Sequence, residues 1–134
     1  MLGDILNVAI AGALGGLVGF ERERREKPAG LRTHAMTSMA SALLTILSRE
    51  AFPGADPARL IAGMVAGMGF IGAGTIVKRE NRVVGVTTAA SILMSSAIGI
   101  AVATGFYSLA AFSAILAYMV LELKDVESRI RRKQ

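Results

Sequence analysis

Apolar residues occur in five long runs, which short polar stretches separate. The clearest run is 60–77, where 18 residues carry no charge, and a membrane-crossing helix needs roughly 17–25 predominantly apolar residues. This pattern predicts an all-α membrane protein, a five-transmembrane-helix bundle that forms a single transmembrane domain over 1–134. The predicted spans are about 3–20, 33–47, 60–77, 83–104 and 106–121.

Small residues recur at helical spacing in the first and third runs. Gly12 and Gly16 form a GxxxG pair, and small residues four positions apart let two membrane helices approach closely. We therefore expect the bundle to pack through glycine and alanine faces. The glycines predicted to pack against neighbouring helices are Gly12, Gly16, Gly63, Gly67, Gly69, Gly72 and Gly74.

The second run has the weakest hydropathy because it contains His34 and several serines and threonines. The basic residues nevertheless favour a span here. With five spans, only Arg49 and Arg59 of the 15 Lys and Arg residues fall on the side opposite the others. Cytoplasmic loops are enriched in Lys and Arg, so we expect the N-terminus outside and a basic cytoplasmic tail over 122–134.

The composition agrees with a membrane protein. The chain is 53% hydrophobic and has 15 further glycines, which leaves too little polar surface for a soluble domain of 134 residues. A net charge of +5 would also suit a nucleic-acid-binding protein. The basic residues, however, lie only between and after apolar runs, where they set the orientation of membrane helices. We expect the lipid bilayer, and no nucleic acid, as a partner. The N-terminus lacks the basic residues of a signal peptide and is expected to stay in the mature protein.

Three motifs occur in order between about Gly16 and Tyr107: GLVGFERERREKPAGLRTH, then DPARLIAGMVAGMGFIGAG with VVGVTTAAS, then GIAVATGFY. These motifs resemble the MgtC/SapB family of small bacterial inner-membrane proteins. The resemblance implies adaptation to low magnesium, Mg²⁺ homeostasis and virulence in pathogens, by regulation of ATP synthase or a P-type cation pump. Longer members carry a C-terminal cytoplasmic domain, and we expect this chain to be a short form without it.

Polar residues at the ends of the spans are the candidate functional residues, since no Asp, Glu, Lys or Arg lies at the centre of a span. Glu21 and Arg22 end the first span, and Arg32 and Thr33 open the second. This cytoplasmic cluster either contains a structural Glu21–Arg32 ion pair or binds a phosphate, a lipid headgroup or a partner protein. The resemblance favours binding, because these residues belong to its motifs.

Five further residues have two alternative roles. Asp56 either caps the third helix or, with Arg59, binds a cation outside. His34 is either a polar residue at the membrane interface or a pH-sensitive group. Thr87 and Thr88 either cap the fourth helix or form hydrogen bonds across to the third.

The residues predict neither catalysis nor a resident cofactor. Mg²⁺ prefers near-octahedral oxygen ligands, whereas the carboxylates near the spans, such as Asp4 and Glu122, lie only at the ends. The residues offer no set of ligands for Mg²⁺, and its binding stays an open alternative. GFIGAGTI lacks the lysine of a phosphate-binding loop. We expect a non-enzymatic homo-oligomer that regulates another membrane protein; the alternative is a small oligomeric transporter or channel for Mg²⁺ or another ion.

Overall fold

The structure is a computed structural model that describes residues 1–54, 56–80 and 82–131, with side chains as far as Leu123. The described part of the chain is helical apart from one hairpin, so the all-helical prediction is confirmed. Residues 132–134 of the predicted basic tail lie outside the described residues. The helices are α1 (Leu2–Arg24), α2 (Leu31–Glu50), α3 (Pro57–Ala73), α4 (Val86–Ala103) and α5 (Tyr107–Arg131), and the strands are β1 (Val77–Arg79) and β2 (Arg82–Val84).

Local sequence signals explain where several helices begin or end. Asp56 Oδ1 accepts a hydrogen bond of 2.9 Å from the Ala58 amide at the start of α3, as a capping carboxylate does. At the start of α2, the Leu31 amide donates to Glu23 Oε2 at 2.7 Å. Gly105 follows α4 with φ of 85°, a left-handed conformation that glycine adopts without strain.

The connection between α3 and α4 differs from the prediction. The sequence pattern extends the third span to 77 and begins the fourth at 83, but α3 ends at Ala73 and the intervening residues form a hairpin. Its strands are antiparallel, with Val77 opposite Val84. The apolar run therefore predicts a longer helix than the one observed, because valines that flank a polar turn also favour strands.

Helices α1, α2 and α4 approach one another at backbone distance. A Cβ added at Gly15 would lie 2.5 Å from Ser38 Cβ, and one at Gly19 would lie 2.7 Å from the Gly30 carbonyl oxygen. A Cβ at Gly99 of α4 would overlap the Ser38 carbonyl group. Glycine is therefore required at these crossings by sterics, and the three helices form the centre of the bundle.

The apolar core lies between this centre and α5, whereas α3 lies at the edge. Only Met64 and Gly72 of α3 are buried. Small and β-branched residues fill the core, and the alanines on α5 let that helix pack closely. Core members include Ala11, Val18, Ala42, Ile46, Ile98, Val102, Ala110 and Ala114.

The outer surface of the bundle is strongly apolar. On α2, the exposed residues include Leu43, Leu44 and Leu47, although the helix as a whole has low hydropathy. Two of the described helices, α1 and α4, are long and apolar enough to cross a membrane, while α3 and residues 107–123 of α5 form shorter apolar helices.

Candidate functional site

Hydroxyl and imidazole side chains of α2 and α4 meet inside the bundle, and we call this set the polar seam. On α2 the members are three and four residues apart, which places them on one helix face. The α4 members follow nearly the same spacing. All are buried: His34, Ser38, Ser41 and Thr45 from α2, and Thr88, Ser91, Ser95 and Ser96 from α4.

His34 links both helices of the polar seam. Its Nδ1 lies 2.8 Å from the Gly30 carbonyl oxygen, and its Nε2 lies 2.8 Å from Ser91 Oγ. A carbonyl oxygen can only accept, so Nδ1 carries the proton and, in the neutral ring, Nε2 accepts from the Ser91 hydroxyl. The Ser91 hydroxyl also lies 2.9 Å from the Thr88 carbonyl oxygen, which gives its proton a second acceptor.

The seam continues towards the other end of α2 with serine contacts. Ser41 Oγ and Ser96 Oγ lie 2.7 Å apart, and Thr45 Oγ1 donates to the Ser41 carbonyl oxygen at 2.7 Å. The buried hydroxyls of Ser38 and Ser95 have no hydrogen-bond partner among the described residues. The seam is thus hydrogen-bonded near His34 and Ser41 and unsatisfied between them.

Charged residues at the end of α1 and on α5 form a second group, the ion cluster, consisting of Glu21, Arg22, Arg24, Arg25 and Glu122. The Glu21 carboxylate is completely buried and pairs with the Nε atoms of Arg22 and Arg25. Glu122 pairs with Arg24 and, at 3.0 Å, with Arg25 Nη2. A buried carboxylate is tolerated only when it is paired, so these arginines stabilise Glu21 and join α1 to α5.

The structure brings together only part of the predicted cytoplasmic cluster. Glu21 and Arg22 are in contact, but the predicted Glu21–Arg32 ion pair is wrong. Arg32 is exposed and forms no ion pair with a described residue. The reason is that α1 extends to Arg24, which places Arg25 one turn beyond Glu21 on the same face. Thr33 accepts a 2.7 Å hydrogen bond from Thr37 Oγ1 through its carbonyl oxygen and is not part of the ion cluster.

One further expectation is corrected and two stay predictions. His34 is fully buried in the polar seam, and its place at the membrane interface stays a prediction. Thr87 and Thr88 do not cap α4, because Gly85 occupies the N-cap and no side chain caps it. The bond towards α3 comes instead from Thr75, whose Oγ1 donates to the Gly85 carbonyl oxygen at 3.3 Å. Asp56 and Arg59 are both exposed at the start of α3, and cation binding there stays a prediction.

The predicted packing glycines have different surroundings on the two helices. An added Cβ at Gly12 would lie 2.9 Å from the Met39 side chain, so this glycine faces α2. Gly16 lies beside Ala35 of α2 at ordinary contact distance. On α3, Gly72 faces Ala89 of α4, at 3.3 Å from Cβ to Cβ.

The remaining α3 glycines lie outside these contacts. An added Cβ at Gly63, Gly67 or Gly69 would meet no atom of the described residues within 4 Å. Gly74 ends α3, and an added Cβ there would meet only carbonyl oxygens of the preceding turn, the nearer at 3.2 Å. A packing role for these positions stays a prediction about another molecule or about lipid.

Several functional candidates were not singled out from the sequence. The signal for the polar seam was the spacing of His34, Ser38, Ser41 and Thr45, which matches one helix face. The i,i+4 spacing of Glu21 and Arg25 was the signal for part of the ion cluster. No local signal predicts the contact with Glu122, since it joins residues 97 and 98 positions apart.

Apolar helices that expose leucine and enclose hydroxyl, imidazole and paired charged groups are the pattern of a helical membrane protein. Comparison with known proteins identifies the particular family. The chain belongs to the MgtC family, whose sequence profile matches residues 8–130. The resemblance seen in the motifs is thereby confirmed.

Curated relatives cover most of this chain. YhiD of Escherichia coli strain K12 is 41% identical over an alignment of 127 positions, which covers 89% of this chain and 59% of YhiD. Protein SapB of Bacillus subtilis is 39% identical over 87% of this chain and 53% of SapB. Protein MgtC of Brucella abortus is 40% identical over 79% and 45%. The chain thus spans about half the length of these relatives. No solved structure gives a significant match.

Proposed function

We propose that the chain crosses the bacterial inner membrane five times, with the N-terminus outside and the basic end of α5 in the cytoplasm. The observation that supports five spans is the orientation of α2. Its polar side chains face the seam, and Leu43, Leu44 and Leu47 face outwards, so its low mean hydropathy does not argue against a lipid-facing helix. The distribution of basic residues supports the orientation.

Cysteine labelling in intact cells tests this topology, since the chain has no cysteine of its own. Glu50→Cys at the end of α2 should react with a membrane-impermeant maleimide. Glu26→Cys and Glu80→Cys, also exposed, should react only after the cells are opened. Labelling of Glu26→Cys in intact cells would contradict the orientation.

The function we propose is adaptation to low magnesium through regulation of another membrane protein, without enzymatic activity or a resident cofactor. Family membership supports the magnesium role. Polar groups inside the bundle bond to one another, which supports regulation over transport. Buried Glu21 is held by two arginines, and hydroxyl and imidazole groups link α2 to α4. The family suggests ATP synthase or a P-type cation pump as the partner and, in pathogens, a contribution to virulence.

Cross-linked pull-down from native membranes of cells grown at low Mg²⁺ tests for a partner. Gly67→Cys places the cross-linker on the open face of α3, and Ser96→Cys is a matched control buried in the seam. A membrane protein captured through Gly67→Cys, and absent with the control, supports regulation. Capture of a second copy alone supports the expected homo-oligomer without a further partner.

A second candidate is a small oligomeric transporter for Mg²⁺ or another ion. It is favoured by the name of the Escherichia coli relative, "Putative magnesium transporter YhiD", and by the exposed carboxylate of Asp56 at the proposed outer face. Flux of Mg²⁺ into liposomes containing the purified protein separates the two candidates. Uptake that Asp56→Ala abolishes, while Glu50→Ala leaves it intact, would defeat regulation as the sole function.

A further inference from the structure

A cavity of about 600 Å³ lies where the end of α1, the start of α4 and α5 come together. Arg22 and Lys27 line one part of it, and the first turn of α4, from Gly85 to Thr88, lines another. Val120, Leu121 and Leu123 of α5 contribute to the remaining wall. The cavity therefore adjoins the ion cluster and opens at the end of the bundle where the basic residues gather.

Arg22 supplies a directed positive charge to this cavity. Its side chain is only 3% exposed, and its Nε is held by Glu21. Its two terminal nitrogens form no hydrogen bond or ion pair with any residue that the structure describes. A buried guanidinium with unused donors suits a phosphate oxygen.

The start of α4 contributes a second set of donors. Gly85 is the N-cap of this 18-residue helix, and no side chain of a described residue caps it. Free amides and the helix dipole at such an end favour an anion. Gly85 has φ of 94°, and a Cβ there would overlap the Thr75 carbonyl group, so a capping side chain at this position is excluded by sterics.

The cavity continues into an apolar groove of about 250 Å³ between α4 and α5. The two spaces share Thr87, Val120 and Leu121 in their walls. Further along, the groove is lined by Ala90, Met94 and Leu116 among others. A cationic pocket that opens into an apolar groove matches a phosphate group attached to an acyl chain.

We propose that the cavity binds the phosphate of an anionic phospholipid, whose acyl chain lies in the groove between α4 and α5. Arg22, Lys27 and the start of α4 bind the phosphate. Free phosphate offers the same chemistry to these groups, but it has no part that would occupy the groove. This site is independent of whether the protein regulates a partner or transports an ion.

Native mass spectrometry of the full chain in detergent tests the proposal with phosphatidylglycerol, with phosphatidylcholine of the same acyl chains and with inorganic phosphate. The wild type should retain one phosphatidylglycerol per chain and bind phosphatidylcholine more weakly. Arg22→Gln and Lys27→Gln should each weaken binding about tenfold or more, the usual effect of losing a charged hydrogen bond. Arg32→Gln, which removes an exposed charge outside the cavity, should have no effect.

The groove is tested separately by Ala90→Phe, which fills it, and by Ala97→Phe, an exposed α4 position that does not line it. Ala90→Phe should weaken phosphatidylglycerol binding and Ala97→Phe should not. Unchanged binding in Ala90→Phe, with displacement of the lipid by inorganic phosphate, would overturn the lipid in favour of free phosphate. Equal losses in all three glutamine variants would overturn the site. If Arg22→Gln fails to fold, Lys27→Gln and Ala90→Phe decide.

Discussion

The glycines of α1 and those of α3 look alike in the sequence but have different surroundings in the molecule. Gly15 and Gly19 of α1 lie against the backbone and Cβ atoms of α2. Gly63 and Gly67 of α3, at the same four-residue spacing, contact no other described element. The spacing of small residues therefore indicates where a helix can be approached closely, but it does not identify the approaching group.

The two regions also differ in how they use polar groups. The centre of α1, α2 and α4 contains the polar seam and the buried carboxylate of Glu21, whereas α3 beyond Arg59 presents glycine, alanine and apolar side chains. Hydrogen bonds specify one arrangement of the central helices, since a shift would leave buried polar groups unpaired. No such constraint acts on the open face of α3, which leaves it available to lipid or to another chain.

The largest expected difference between the regions concerns their carboxylates. Glu21→Ala should lower the free energy of unfolding by about 3–5 kcal/mol, because it leaves buried Arg22 without its partner. Asp56→Ala should cost only about 1 kcal/mol, the usual value of a lost helix cap. Helicity measured during titration with SDS in mixed micelles checks both. Equal losses would show that Glu21 is not held as described.

A glycine pair gives the next largest contrast. Gly99→Ala should destabilise the bundle by about 1–3 kcal/mol, since the new methyl group meets the Ser38 carbonyl and forces the helices apart. Gly67→Ala should be neutral or stabilising by up to about 1 kcal/mol, because alanine favours the helix and has open space around it. The same SDS titration measures both variants. Destabilisation by Gly67→Ala would instead indicate a neighbour on that face of α3.

His34 tests the hydrogen bonds of the polar seam. His34→Leu should cost about 1–2 kcal/mol, near the upper limit for a hydrogen bond between membrane helices, because Ser91 loses its partner across the interface. Adding Ser91→Ala should recover part of this loss, since removing both polar partners is less costly than removing one. A double-mutant cycle by SDS titration measures the coupling, and additive effects would argue against the contact.

The smallest contrast lies within the seam. Ser41→Ala should cost about 0.6 kcal/mol, the average for such bonds in membrane proteins, because Ser96 loses its 2.7 Å partner. Ser95→Ala removes a buried hydroxyl without a partner among the described residues and should be neutral or slightly stabilising. The midpoints of SDS-induced unfolding of the two variants, each compared with wild type, should show that Ser41→Ala is the less stable variant.

Helix number and order could be predicted from the chain, because apolar runs and turn residues act locally. Asp56 with Pro57 marked the start of α3, and Gly105 marked the break before α5. The hairpin before α4 could not be separated from a helix, since Val77 belongs to a run whose hydropathy suits either structure. The number of membrane crossings and their orientation stay predictions.

The candidate site was harder to predict because its contacts join distant parts of the chain. Glu21 and Arg22 were singled out together with Arg32 and Thr33, but Glu122, which joins the ion cluster, lies about a hundred residues away. The sequence left two alternatives for His34, a polar residue at the membrane interface and a pH-sensitive group, and neither identifies its hydrogen-bond partner. Its partner Ser91 is 57 positions away, and no local pattern predicts that pairing.

Helix α5 is joined to α1 near both ends, by Tyr107, whose hydroxyl donates to Asn7 Oδ1 at 2.8 Å, and by Glu122 with its arginines. Contacts near both of its ends therefore join α5 to α1, the two described helices that lie furthest apart in the sequence. Because α5 is translated after the other four helices, Asn7 and Arg24 of α1 cannot reach these partners until about a hundred further residues have been made. Addition of α5 is thus the step that completes the polar contacts at both ends of α1.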